Sequence, residues 1–101
     1  MKKNYIGRLM VRVTVNGCGI PLWGARISVD GENYIIPKDR DGFSDIIELF
    51  SSAEKGYQRS FTIKAEYDGF STMICENVPV NSGYLTVWNI PLSPLSISRS
   101  I

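Results

Sequence analysis

Apolar and polar residues alternate along most of this sequence, and a period of two is typical of half-buried β-strands. The alternation is clearest over residues 7–15 and again over 61–67. The apolar face of the first of these segments consists of Leu9, Val11, Val13 and Val15. No long stretch shows the 3.6-residue period of a helix, so the pattern predicts an all-β fold.

Turn-forming residues interrupt the alternation at intervals of about ten residues, as they do in β-sandwiches. The predicted strands are 7–15, 25–29, 34–36, 43–49, 61–67, 71–80 and 84–92. Between them lie glycine-containing turns and one polar loop over 51–58. We therefore predict a seven-stranded antiparallel Greek-key β-sandwich in which each sheet has one solvated face.

The chain has 101 residues, which is the size of one domain. We expect residues 1–94 to form the sandwich and 95–101 to form an extended C-terminal tail. Disorder is excluded for most of the chain, because 44% of the residues are hydrophobic and 21% are charged. A net charge of +1 argues against a nucleic-acid partner. No apolar run approaches the length of a membrane span, so we expect no membrane partner.

We expect no secretory signal in the first residues, because Arg8 and Arg12 interrupt any apolar segment that follows the basic start. The final location stays open at this stage. We expect a protein that is cytoplasmic as made, exported by another route, or carried within a particle, a spore or a cell-envelope assembly.

The chain contains no histidine, which removes the commonest general base and the commonest metal ligand. Glu48, Glu54, Glu66 and Glu76, which could include an acid–base pair, are scattered along the sequence. Because there is also no glycine-rich phosphate loop, the sequence predicts no catalytic residue, no metal site and no cofactor. A small enzyme or metal-binding domain remains the weakest of the alternatives.

Two local features suggest a calcium site or a disulfide but have simpler explanations. The acidic segment 39–42 begins like a calcium loop, yet no helix flanks it, so we interpret it as a charged turn. Cys18 and Cys75 are predicted to be reduced thiols, although the sequence leaves a disulfide between them open. Gly24 and Gly42 are expected to provide positive φ or a close approach at turns.

Four segments, in this order, resemble carboxypeptidase-regulatory-like or transthyretin-like domains. The first matches at Gly19, Pro21, Gly24, Ala25, Ile27 and Val29; the second at Asp39, Gly42, Ile47 and Leu49, with Lys38 in place of the usual threonine. The third matches at Ile63, Ala65, Gly69 and Phe70, and the fourth is the closing strand near 84–95. The resemblance implies a prealbumin-like sandwich.

A narrower likeness is to the non-catalytic β-domain of clostridial spore cortex-lytic proteins. The matching pieces are residues 64–70 and 88–92. This chain contains no segment resembling a protease or hydrolase, so the activity of those proteins is not implied.

Candidate interaction residues lie in one loop and in the tail. Trp23, next to Leu22, precedes the second strand, and exposed tryptophans concentrate at interfaces. In the tail, apolar or basic residues alternate with serines, which is typical of an extended strand that pairs with a sheet edge. The tail residues proposed for contact are Leu95, Ile97, Arg99 and Ile101.

These observations predict a non-enzymatic structural or protein-interaction module. The expected setting is a homo- or hetero-oligomer, as a subunit of a larger bacterial or phage-like particle or of an envelope or spore assembly. The alternative is a module that binds cell-wall glycan as an accessory of a peptidoglycan hydrolase system, in which Trp23 stacks on sugar rings.

Overall fold

A computed structural model describes residues 5–38, 40–51 and 58–95. Within these ranges the chain forms seven strands and no helix, which confirms the predicted all-β class. The strands are β1 (Tyr5–Val15), β2 (Arg26–Val29), β3 (Glu32–Ile35), β4 (Ile47–Ser51), β5 (Gln58–Glu66), β6 (Met73–Asn81) and β7 (Leu85–Leu92). A helix long and apolar enough to cross a membrane is not found in the part that the structure describes.

The strands are arranged in two sheets. One has three strands in the order β4-β1-β7, and the other has four in the order β3-β2-β5-β6. Their apolar faces meet in one core, so the molecule is a two-layered, sandwich-like β structure. The buried core residues are Leu9, Val11, Val13, Leu22, Ala25, Ile27, Val29, Ile36, Ile47, Phe61, Ile63, Ala65, Val78, Val80, Ile90 and Leu92.

The prediction that all strands pair antiparallel is wrong for one pair. β1 and β7 run parallel over the register from Arg8↔Leu85 to Val15↔Leu92, whereas the other neighbouring strands are antiparallel. A parallel pair cannot be closed by a tight turn and needs a long connection. The whole chain between β1 and β7 provides that connection, so no hairpin fixes their relative direction.

The turn between β2 and β3 has the backbone geometry that its sequence favours. Asp30 and Gly31 both have positive φ, at 48° and 91°, and Val29 pairs with Glu32 on either side of them. Two consecutive residues with positive φ define a type I′ hairpin, for which Asp-Gly is a preferred sequence. This turn explains why the short strands β2 and β3 pair with each other.

Gly42 allows a loop to approach β1 closely. Its φ is +84°, and a Cβ at this position would lie 2.8 Å from the carbonyl oxygen of Val13 and 3.0 Å from the Cβ of Pro21. Gly24 also has a positive φ, of +89°. The predicted roles of both glycines are therefore confirmed.

The strand predicted over 43–49 begins later, at Ile47. Phe43 makes only an isolated bridge to Arg12. The side chain of the next residue, Ser44, takes part in the hydrogen bonding with β1. The Ser44 hydroxyl accepts the N–H of Val11 at 3.0 Å and donates to the carbonyl of Asp45 at 2.8 Å. The N–H of Ser44 still donates to the carbonyl of Val11 at 2.7 Å, but the hydroxyl takes the place of a backbone carbonyl as the acceptor for Val11, so the ladder is irregular here.

Candidate interaction surface

The four edge strands of the two sheets differ in how they are protected against pairing with another chain. An exposed edge presents unpaired N–H and C=O groups, and charged residues, prolines and bulges are the usual protection. β3 includes Glu32, β4 includes Glu48, and β6 includes Glu76 and Pro79. Of the described edge strands, β7 alone contains no charged residue, and its proline, Pro91, lies near its end.

The free side of β7 can be assigned residue by residue. Tyr84 and Leu92 accept hydrogen bonds from the β1 side, from the N–H of Arg8 at 3.0 Å and of Asn16 at 2.8 Å. Backbone groups of successive residues in a strand point to opposite sides, so even-numbered residues of β7 bond to β1. The N–H and C=O groups of Leu85, Val87 and Asn89 therefore point to the free edge, where no described strand pairs with them.

Large apolar side chains cover the same segment on its outer face. Leu85 is 47% exposed and Val87 48%, and Tyr84, which directly precedes β7, is 60% exposed. Met10, which is opposite Val87 on β1, is half-buried and extends the apolar surface across the sheet. We call Leu85 and Val87 the β7 patch. Contiguous exposed apolar surface of this kind marks interaction sites in soluble proteins.

The β7 patch was not among the residues singled out from the sequence. A signal was present, because the alternation places Thr86, Trp88 and Ile90 on the inner face and leaves Leu85 and Val87 outside. The lack of any charge over residues 84–92 was a second signal. Both signals gain meaning only once β7 is known to be an edge strand, and that depends on long-range pairing.

The structure separates the two loop residues that the sequence grouped together. Trp23 is 52% exposed, whereas Leu22 is buried at 8% and belongs to the core. Leu22 points inward because its loop folds back on β1, where its N–H donates to the carbonyl of Val13 at 3.0 Å and Pro21 bridges to Thr14. The expectation that Leu22 contributes to a contact surface is therefore corrected.

Trp23 lies beside a cation. The Nζ of Lys38 is 5.4 Å from the centroid of the Trp23 ring, within the range of a cation–π interaction. The loop itself is fixed by the N–H of Gly24, which donates to the carbonyl of Ile36 at 2.8 Å. One face of an exposed indole is thus already occupied by an ammonium group.

The start of the C-terminal tail is attached to the four-stranded sheet. Pro94 bridges to Phe70, and the N–H of Leu95 donates to the carbonyl of Gly69 at 2.9 Å. The side chain of Leu95 is 57% exposed. The other predicted tail contacts, Ile97, Arg99 and Ile101, lie outside the described residues.

The outer face of the four-stranded sheet has a different character. A groove of about 340 Å³ runs over β3, β2 and β5, between Ile35, Ser28 and Lys64. At its end, Arg26 lies 3.2 Å from Asp68 and 3.6 Å from Glu66. The hydrogen bond and the charge of Asp68, with that of Glu66, raise the pKa of Arg26 above its usual value. Paired charges share this face with exposed apolar side chains, because Ile35 opposite Arg26 is 64% exposed and Ile74 opposite Lys64 is 58% exposed.

Where they are described, the acidic turn forms ion pairs and the two cysteines are not bridged to each other. Asp41, in the acidic turn, accepts from Arg12 at 3.2 Å, and Asp45 pairs with Arg40 at 2.8 Å; Asp39 lies outside the described residues. No group of three potential metal ligands occurs within residues 5–38, 40–51 and 58–95. Cys18 is exposed, Cys75 is half-buried, and both are free thiols.

Comparison with known proteins gives no family for this chain. No protein-family model matches it, and no curated protein matches its sequence.

Proposed function

We propose that this chain is a non-enzymatic structural or protein-interaction module that works as a subunit of a larger assembly, in a bacterial or phage-like particle or in an envelope or spore structure. The observation that supports this proposal most is the β7 patch on an uncharged sheet edge. Proteins that act as isolated monomers usually protect such an edge, so an unprotected one is expected to have a protein partner.

The proposal includes a prealbumin-like, Greek-key form of the sandwich. In support, the chain changes sheets after β1, β3, β4 and β6, which produces sheets of three and four strands. The four segments of the sequence resemblance described above lie in or beside β2, β4, β5 and β7. A fold of this kind does not define a function by itself, so the proposed role depends on the surface.

The tail is proposed as a second contact of the same module. Residues 93–95 are held along Gly69 and Phe70, so the position from which residues 96–101 continue is fixed. Its alternating sequence favours an added strand on another subunit.

Light scattering of the full chain and of a version that ends at Leu95 tests this role. The shortened version keeps the bond between Leu95 and Gly69. We expect the full chain to form a species larger than 11.3 kDa, alone or with a protein partner, and the shortened one to form it less well. A full chain that is monomeric and retains no protein partner would contradict the proposal.

Trp23 supports a second candidate, binding of cell-wall glycan, because its ring is half exposed in a fixed loop. Indole rings stack on sugar faces, and Lys38 provides a donor beside the ring. Retention on insoluble peptidoglycan that is lost in Trp23→Ala and kept in Tyr84→Ala would favour this function. Equal retention of both variants would exclude Trp23 as the binding residue.

A further inference from the structure

We propose that β7 pairs antiparallel with β7 of a second copy of this chain, so that the three-stranded sheets of two subunits join into one continuous sheet. This inference rests on the proposed function and names one partner for it, which is the chain itself. The distribution of charged residues over the four edge strands favours this partner.

Self-pairing through β7 places no like charges opposite each other. A two-fold pairing brings the same strand of both copies together, so a charged residue near its centre meets its own copy. Pairing of β4 in this way would bring Glu48 near a second Glu48, and pairing of β6 would do the same with Glu76. β3 has only four residues and begins with the charged Glu32. Because β7 has no charge, it is the described edge best suited to self-association.

The hydrogen-bonding groups of β7 also fit a two-fold axis. The free N–H and C=O groups belong to Leu85, Val87 and Asn89, and a register centred on Val87 places Leu85 opposite Asn89 of the partner subunit. Such a ladder contains about six main-chain hydrogen bonds. Pro91, which lacks an N–H, then lies beyond the paired segment, where it ends the ladder.

The β7 patch would lie at the centre of the joined sheet. Val87 of each subunit would be next to the other, with Met10 behind it on β1. The side chains of Leu85 and Val87 are each about half exposed in one copy, so pairing removes apolar surface from water on both sides. A two-strand junction buries less area than a standard interface, so we expect a weak dimer rather than a permanent one.

Sedimentation equilibrium of the full chain, at protein concentrations from about 10 µM to 1 mM, tests this pairing. We expect a reversible transition towards twice 11.3 kDa. Val87→Lys places a charge at the centre of the pairing and should shift the midpoint at least about tenfold to higher concentration. The matched control is Ile35→Lys at an exposed aliphatic residue on an edge strand of the other sheet, which should leave the midpoint unchanged.

Hydrogen exchange of the wild-type chain provides a readout that needs no variant. The amides of Leu85, Val87 and Asn89 should exchange more slowly at high protein concentration than at low, while those of Thr86 and Trp88, bonded to β1, should not change. A monomer at every concentration, or equal midpoints for Val87→Lys and the wild type, would overturn the inference. An oligomer that requires the tail and forms equally well with Val87→Lys would overturn the inference. It would still support the proposed function.

Discussion

β6 and β7 are edge strands of different sheets, and they meet where the Thr86 hydroxyl donates to the carbonyl of Pro79 at 3.2 Å. Three features protect the edge at β6 against pairing with another chain. It contains Glu76, a proline, and a bulge at Asn77, where φ is +61° and the register shifts opposite Thr62. β7 has no comparable feature before Pro91.

The bulge in β6 shows how such protection is built into the fold. Glu76 and Asn77 together oppose Thr62, which instead exchanges hydrogen bonds with the Asp30 turn: its N–H donates to the Asp30 carboxylate and its carbonyl accepts the N–H of Asp30, each at 2.9 Å. A bulge twists the strand and interrupts the regular row of groups that another strand would need. The edges at β6 and β7 therefore differ in how readily another strand can pair with them, although both contain exposed apolar side chains.

The largest expected effect is a difference in stability between substitutions on the inner and the outer face of β7. Ile90 is fully buried opposite Val13, so Ile90→Ala should lower the free energy of unfolding by about 3 kcal/mol through lost burial and a cavity. Val87→Ala, on the exposed face, should change it by no more than about 0.5 kcal/mol. Urea denaturation at low micromolar protein measures both. Equal losses would mean that the β7 patch stabilises the subunit itself rather than an interface.

An intermediate effect is expected at the β6 bulge. Asn77→Val forces a β-branched residue into the left-handed region, which should cost about 1–2 kcal/mol of stability. Asn77→Gly is the matched control, because glycine adopts this conformation freely, and it should be close to neutral. Thermal unfolding of the two variants measures the difference. If valine were tolerated as well as glycine, the bulge would not be a fixed feature of β6.

The smallest effect is expected from salt. The β7 edge contains no charged residue, so raising NaCl from about 0.1 to 1 M should not weaken its self-association. Association through the outer face of β1 and β4, where Arg8 lies 3.7 Å from Glu48, would weaken over the same range. Sedimentation equilibrium at both salt concentrations tests this, and a clear loss of dimer at high salt would favour the charged face over β7.

Local sequence patterns predicted the all-β class, the positions of most strands and the turn glycines, because period and turn chemistry are short-range properties. The pairing of β1 with β7 could not be predicted from local patterns, since five other strands separate the two segments along the chain. Leu22 was misassigned for a related reason: whether an apolar loop residue faces solvent depends on the strand against which its loop folds. The β7 patch required both kinds of information, namely the alternation along β7 and its place in the sheet.

The central position of β1 has a consequence for how the chain is made. β1 leaves the ribosome before its neighbour β7, and five other strands are synthesised between them. Pairing across such a separation is slow, and until it occurs one side of β1 stays open to foreign strands. Arg8 and Arg12 lie on this strand, and charges within an apolar segment discourage aggregation of nascent chains. We therefore expect these arginines to reduce aggregation through β1 until β7 has been made.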